Sequence, residues 1–383
     1  MNWPDWVLAR ATSPWFWVML AVQGHLFIYY YSRVVLHQTN VRAEVGVGIP
    51  YLLIQSLFFL GFLRVWNFGG WVWRGQPGLL RGWVLLNVVG SVGLLGWDLE
   101  WRLRTRQKVR VHTLGSRTVP GNFPLPLEVL QRVGLRNQLH DLQVRELEIF
   151  LPNWPKEWSG LTLVHLTDLH HGRYIPDGYL AQVRSETLRL KPDLVVLTGD
   201  FVSTPNDLPF AFGWMRGIRA KMGAFAVLGN HDGWTDIPGT ERGLRRAGIR
   251  VLKNEGVLFH RGRSRLALLG AEDLWTGNPD TSRLRTVRAE ARILLAHHPD
   301  HFYLAQLLKA QLQLSGHCHG GQVCLPGGRA IVAPSRFGTR YASGFFREGP
   351  SVMFVNRGVG AYPPIRLYCP PEIVKLTLRS ETN

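Results

Sequence analysis

Acidic residues are scarce at the start of this chain: only Asp5, Glu44, Asp98 and Glu100 fall within its first 110 residues. A run that poor in carboxylates has little to balance its arginines, so the basicity of the chain is concentrated rather than spread. Cysteine is scarce throughout. Cys318, Cys324 and Cys369 cannot all pair and show no Cys-x-x-Cys spacing, which argues against a disulfide framework and fits a reducing compartment. They are expected to be unpaired structural cysteines. No repeat or low-complexity tract is present. A cleaved signal peptide is not expected either, because no small-residue cleavage site follows a single apolar run.

What is there instead is a chain of 383 residues with a formal charge of +17, long enough for two domains or more. Ten of its 15 tryptophans precede residue 102. Three apolar stretches stand out: WFWVMLAVQGHLFIYYY from Trp15, VGIPYLLIQSLFFLGFL from Val47 and GWVLLNVVGSVGLLGW from Gly82. Each is close to the ~20 residues that cross a bilayer as a helix, and aromatic rings crowd their ends as interfacial residues do. Residues 1–110 are therefore expected to be a transmembrane region of about three helices, with the bilayer as partner. Basic residues near the ends set the orientation. Arg33, Arg42, Arg102, Arg104, Arg106, Lys108 and Arg110 lie on one side, against Arg10, Arg64, Arg74 and Arg81 on the other. That count predicts an inner-membrane, multi-pass protein with its C-terminal domain in the cytoplasm. Residues 111–158 are expected to be a connector holding a short amphipathic helix with Leu127, Leu130, Val133 and Leu135 on its apolar side.

From residue 159 the pattern is that of an α/β domain. LTLVHLT, DLVVLTG, AFAVLGN, RLALLGA, RILLAHH and AQLQLSGH alternate with helix-like segments such as DGYLAQVRSETLRL and GTERGLRRAG; PSVMFVNRG and PEIVKLTL finish the sheet. Ligand-binding groups in such domains gather where strands end. The ends here read TDLHHG, TGD, LGNHDG, AHHPD and SGHCHGG. They supply Asp168, His170, Asp200, Asn230, His231, His297, His317 and His319. With His171 and His298, half of the chain's 14 histidines sit in these turns. Taken singly, Asp168 or Asp200 reads as a helix cap and Asn230 as a turn former. Together, carboxylate, imidazole and amide oxygen suit borderline divalent ions such as Mn²⁺, Fe²⁺ or Zn²⁺. One carboxylate can bridge two ions ~3.5–4 Å apart, which clamp the attacking and leaving oxygens of a phosphoryl displacement. The glycines of SGHCHGG let the backbone come close, so metal bonds rather than a stiff backbone are expected to hold the imidazoles still.

The ordered set Asp-x-His, Gly-Asp, Gly-Asn-His-Asp, His-x-Pro-Asp and Gly-His-x-His resembles the calcineurin-like metallophosphoesterase family over roughly residues 160–380, and a membrane-linked bacterial subgroup within it. The resemblance implies a four-layer α/β/β/α sandwich across residues 159–383. It implies two divalent metals, manganese first and iron or zinc as alternatives. Asp168, His170 and His319 would hold one ion, Asn230, His297 and His317 the other, with Asp200 bridging. His231 would protonate the leaving oxygen or stabilise the phosphate, and a metal-bridging hydroxide would attack. His297 is preferred to His298 because it stands two before Pro299. Asp232 either orients His231 or serves as a cap. Arg173 is expected to be solvated, with phosphate binding as its alternative use, and His165 to be core. The segment GDFVSTPN lacks the second aspartate of the protein Ser/Thr phosphatase branch, which disfavours that branch. The expected activity is hydrolysis of a phosphodiester or pyrophosphate, with a lipid-linked phosphate ester as an attractive substrate. The rivals are an idle metal-binding scaffold and a tethered nuclease. No interleaved aromatic and basic stripe surrounds the motifs, so no nucleic-acid partner is expected.

Overall fold

The short apolar runs form strands, and the alternation within each run decides which layer a side chain enters. The computed structural model describes residues 109–121 and 135–381, with scattered positions between 85 and 96. The chain divides into two units, Met1–Arg106 and Gln107–Asn383, and the strands and helices named below belong to the second. The apolar stretches from Trp15 and Val47, most of that from Gly82, and residues 122–134 of the expected amphipathic helix lie outside the described residues. Among the described residues, no helix is long and apolar enough to cross a membrane.

The first strands are β1 (Val111–Val119), β2 (Leu142–Leu151), β3 (Thr162–Leu166), β4 (Leu194–Thr198), β5 (Ala224–Val227) and β6 (Arg250–Val251). Next come β7 (Glu255–Arg261), β8 (Ser264–Gly270), β9 (Ala291–Leu295) and β10 (Leu312–Ser315). A small ribbon of β11 (Cys324–Leu325) and β12 (Arg329–Ala330) precedes β13 (Gly344–Glu348), β14 (Ser351–Val355) and β15 (Glu372–Ser380). One sheet runs β1-β2-β15-β3-β4-β5-β6 and the other β13-β14-β10-β9-β8-β7. The neighbours β3 to β6 are parallel, as are β8, β9, β10 and β14.

In β4, Leu194 and Val196 point to a core shared with Leu268, Ile293, Leu314 and Phe354 of the second sheet. Val195 and Leu197 point the other way, into a core with Tyr179, Leu180 and Val183 of α1 (Asp177–Arg189). Strands buried on both faces read as unbroken apolar runs, and each buried Leu, Ile or Val contributes about 1.5–3 kcal/mol. Two sheets thus share an inner core. Leu244 of α3 (Ile237–Arg246), which follows the short α2 (Asn230–Thr235), joins α1 on the outer face of the first sheet. After α4 (Thr281–Thr286), α5 (Phe302–Leu307) packs on β10 and β14.

The segment expected as a connector departs from that expectation. Residues 111–119 and 142–151 are strands, β2 pairing with β1 on one side and in parallel with β15 on the other. The reason is legible in the side chains. Leu142 and Val144 serve the outer core, whereas Leu147, Ile149 and Leu151 serve the inner one. The apolar phase of the strand therefore slips midway, which hides its alternation. Its edge neighbour β1 is mostly exposed and carries a bulge between Thr113 and Gly115, a common way of blunting a sheet edge.

Candidate metal centre

Parallel strands end together, so the turns after β3, β4, β5, β9 and β10 meet at one edge of the paired sheets. Those turns carry all seven of the expected ligands, and all seven are buried: Asp168, His170, Asp200, Asn230, His297, His317 and His319. Two groups form. In one, the donor atoms of Asp168, His170, Asp200 and His319 lie within 4.8 Å of one another; Asp200, His297 and His317 form the second. Asp200 belongs to both. Its Oδ2 lies 3.6 Å from His170 Nε2 and 3.3 Å from His297 Nε2.

The backbone makes this possible by unusual means. Asp168, His170, Asp200, His317 and His319 all adopt positive φ, between 47° and 66°. Left-handed conformations cost a non-glycine residue about 1–3 kcal/mol and persist only where the surroundings over-determine them. The surroundings here do so. The amides of Leu169 and His170 both donate to the Asp200 carbonyl, tying the first turn to the second. The Asp168 carboxylate accepts the His317 amide at 3.0 and 3.1 Å. Asp232 accepts the amides of Asp200 and Gly229 on one oxygen, at 2.9 and 2.8 Å, and that of Phe201 on the other at 2.9 Å. Asp232 therefore clamps the β4 and β5 turns together rather than orienting His231. Close approach explains two glycines as well. A Cβ on Gly316 would stand 2.0 Å from Thr167 Oγ1 and 2.4 Å from Asp168 Oδ2; one on Gly229 would stand 2.2 Å from Asp200 Oδ1. The turns that carry the imidazoles are thus held by a hydrogen-bonded backbone.

Outward hydrogen bonds fix the inner lone pairs. His297 Nδ1 donates to the Thr198 carbonyl at 2.5 Å and His317 Nε2 to that of Pro334 at 2.8 Å. This leaves His297 Nε2 and His317 Nδ1 facing Asn230 Oδ1 at 3.1 and 2.9 Å, and each other at 3.2 Å. His170 Nε2 and His319 Nε2 face each other at 3.2 Å as well. With those outward bonds made, the inner lone pairs of His297 and His317 and the Asn230 oxygen repel unless a cation lies between them. Nitrogens each about 2.1 Å from a common ion, at tetrahedral to octahedral angles, stand about 3.0–3.4 Å apart. The donors present fit that group.

Charge tells the same story. Burial, reinforced by the charge of His231, brings His170 down to about 3. Burial likewise holds His317 and His319 well below the ordinary histidine value, so these imidazoles stay neutral. Metal ligands need that state. Burial also opposes charge on His297, yet Asp200, Asp168 and Asp273 together raise it to about 10. Burial pushes the Asp168 carboxyl up despite the opposing charge of His297. The buried carboxylates therefore favour positive charge beside His297.

His231 stands beside the cluster and is part-exposed. Its ring packs edge-on to His170 at 4.7 Å, between Trp234 at 4.9 Å and Tyr362 at 5.4 Å. His171 turns away to Asp177 at 3.0 Å, and His298 packs against His317, tilted by 34°, with ring centroids 3.6 Å apart. His165 is buried against Thr198, and Arg173 is exposed. Sequence reasoning passed over Trp275, which packs edge-on to His317 at 4.8 Å. It follows the end of β8, a strand end without a metal-ligating residue. Also passed over was the fully buried Arg366, whose guanidinium donates to the carbonyls of His319, Arg357, Gly360 and Cys369.

Residues 161–321 match the family model described as calcineurin-like phosphoesterase. Among curated proteins, the uncharacterized metallophosphoesterase YkuE of Bacillus subtilis is 30% identical over 249 residues, covering 63% of this chain and 87% of that protein. The phosphodiesterase YaeI of Escherichia coli is 33% identical over 227 residues, covering 56% and 81%. The UDP-2,3-diacylglucosamine pyrophosphatase LpxG of Chlamydia trachomatis is 28% identical over 296 residues, covering 61% and 89%.

Proposed function

The chain belongs to the calcineurin-like phosphoesterase family, whose members are metal-dependent phosphohydrolases, and from that premise we propose that it hydrolyses a phosphodiester or pyrophosphate bond at a two-cation centre. Asp168, His170 and His319 would hold one cation, Asn230, His297 and His317 the other, and Asp200 would be shared. The observation that carries this proposal is the position of Asp200 Oδ2, which faces a histidine of each group. When bound, the pair would lower the pKa of water toward neutrality and neutralise charge on the phosphate. Manganese is the first choice of ion, with iron or zinc as alternatives.

The protein's own groups do the rest. His231 holds a proton at the part-exposed side of the centre and gives it to the leaving oxygen. Its place between Trp234 and Tyr362 orients the ring, and the Asp200–His231 amide hydrogen bond of 2.9 Å fixes its backbone. The stiff turns keep donors in place through turnover, so little reorganisation is needed as charge develops. A lipid-linked substrate is supported by the pyrophosphatase relative, which is named for a diacylated glucosamine, and by the apolar stretches before residue 110. Membrane anchoring with a cytoplasmic catalytic domain completes the proposal.

The test is hydrolysis of bis-p-nitrophenyl phosphate by full-length, manganese-supplemented protein. Turnover should be abolished by Asp200→Asn without loss of fold by circular dichroism. Absence of turnover on diesters, pyrophosphates and monoesters alike would favour an idle scaffold.

A further inference from the structure

A cavity of about 470 Å³ opens between the segment after the β4 turn and α3. Its lining divides by chemistry. Arg216, Arg242 and Arg246 supply three guanidiniums, while Leu208, Phe210 and Phe212 supply the apolar wall. The arginines are exposed and poorly neutralised. Arg242 stands 3.8 Å from Asp236, both well solvated, an arrangement worth little. Arg216 and Arg246 have no carboxylate partner among the described residues. Asp177, the acidic group of the lining, is already 3.0 Å from His171. Three cations facing one space repel one another and favour an anion between them.

The apolar wall is built rather than incidental. Phe212 nests on α3 where Gly243 lacks a side chain: a Cβ there would stand 2.1 Å from the Phe212 ring. Leu208 sits in the same way 2.7 Å from the position of a Cβ on Gly239. Anchored on both sides, the intervening Phe210 is left 68% exposed at the rim. A large ring held out of its own core, beside unneutralised guanidiniums, matches an amphiphile with an anionic phosphate at one end and hydrocarbon at the other.

We infer that this cavity binds an anionic phospholipid, with the phosphate on Arg216, Arg242 and Arg246 and the first part of the acyl chains along Leu208 and Phe210. None of these residues belongs to the metal centre, so the site is independent of the hydrolytic proposal. Two sources of the phosphate, a lipid and a free phosphate ester, are separated by the test. Dissociation constants for dioctanoyl phosphatidylglycerol, dioctanoyl phosphatidylcholine and glycerol 3-phosphate are measured with the detergent-solubilised full chain by native mass spectrometry. The anionic lipid should bind at least tenfold more tightly than either of the others. The double variant Arg216→Gln/Arg246→Gln should erase its preference over phosphatidylcholine, and Phe210→Ser should weaken both lipids several-fold. Hydrolysis of bis-p-nitrophenyl phosphate should stay unchanged in these variants, so a failed lipid site and a failed phosphoesterase remain distinguishable. A lipid preference that survives the double variant overturns the inference, as does glycerol 3-phosphate binding as tightly as the lipid.

Discussion

Removing the Asp232 carboxylate should loosen the metal centre without touching a ligand. Three buried amides, those of Asp200, Phe201 and Gly229, end on its two oxygens. A buried donor stripped of its acceptor costs about 1–3 kcal/mol, so Asp232→Ala, with water partly filling the gap, should cost about 4 kcal/mol. Asp232→Asn keeps the shape and one acceptor oxygen. Turned toward Asp200 and Gly229, that oxygen preserves two bonds and loses the one to Phe201, for a cost of about 2 kcal/mol. The two amides of the β4 turn and the one of the β5 turn would no longer be clamped, so Asp200 and Asn230 would drift apart. Second-layer partners of metal ligands typically govern about 10–100-fold in affinity or activity. Denaturant titration and metal-affinity measurements on both variants check this. The order wild type, Asn, Ala should hold in both. If Asp232→Ala unfolds within 0.5 kcal/mol of wild type, or binds metal as tightly, the clamp is not what positions the turns (a surface substitution typically stays within about that margin).

Three further outcomes follow from the same geometry. Gly316→Ala drives a methyl into Thr167 and Asp168; it should cost about 1–3 kcal/mol and lower metal occupancy in elemental analysis although every ligand remains. His231→Gln should reduce kcat by about 10²–10⁴-fold, the usual worth of a positioned acid, with metal content unchanged; an equal loss of metal would make His231 structural. Glu372 is opposed by burial, yet Arg357 and Arg145 hold it at about 2, below the ordinary value of 4.5. Its folded pKa is depressed, so its contribution, about 3 kcal/mol, is present above pH 4.5 and is lost as pH falls toward 2. The stability gap between wild type and Glu372→Gln, followed by denaturant titration, should shrink across that window.

Much of the inner architecture was legible because strands buried on both faces cannot hide. DLVVLT and RILL have no polar phase to misread, and both lie where expected as β4 and β9. The turns after such strands were legible for the same reason, since polar residues there interrupt an apolar run. The peripheral strands were not. LQVRELEIFL changes its buried face partway along, and VHTLGSRTV at the edge buries almost nothing, so neither shows a sustained period. At the centre, residue types could point to metal chemistry, but not to what stiffens it. Asp232 looks like a cap in Gly-Asn-His-Asp; only the fold brings the Asp200 and Phe201 amides to it. Trp275 and Arg366 carry no ligand chemistry, and their roles depend on partners distant in the chain.

The shared carboxylate can be probed most directly by electron paramagnetic resonance of the manganese-loaded, full-length protein. Exchange-coupled manganese pairs are expected in the wild type, replaced by isolated ions in Asp200→Asn. Isolated ions in the fully loaded wild type would contradict a bridging Asp200.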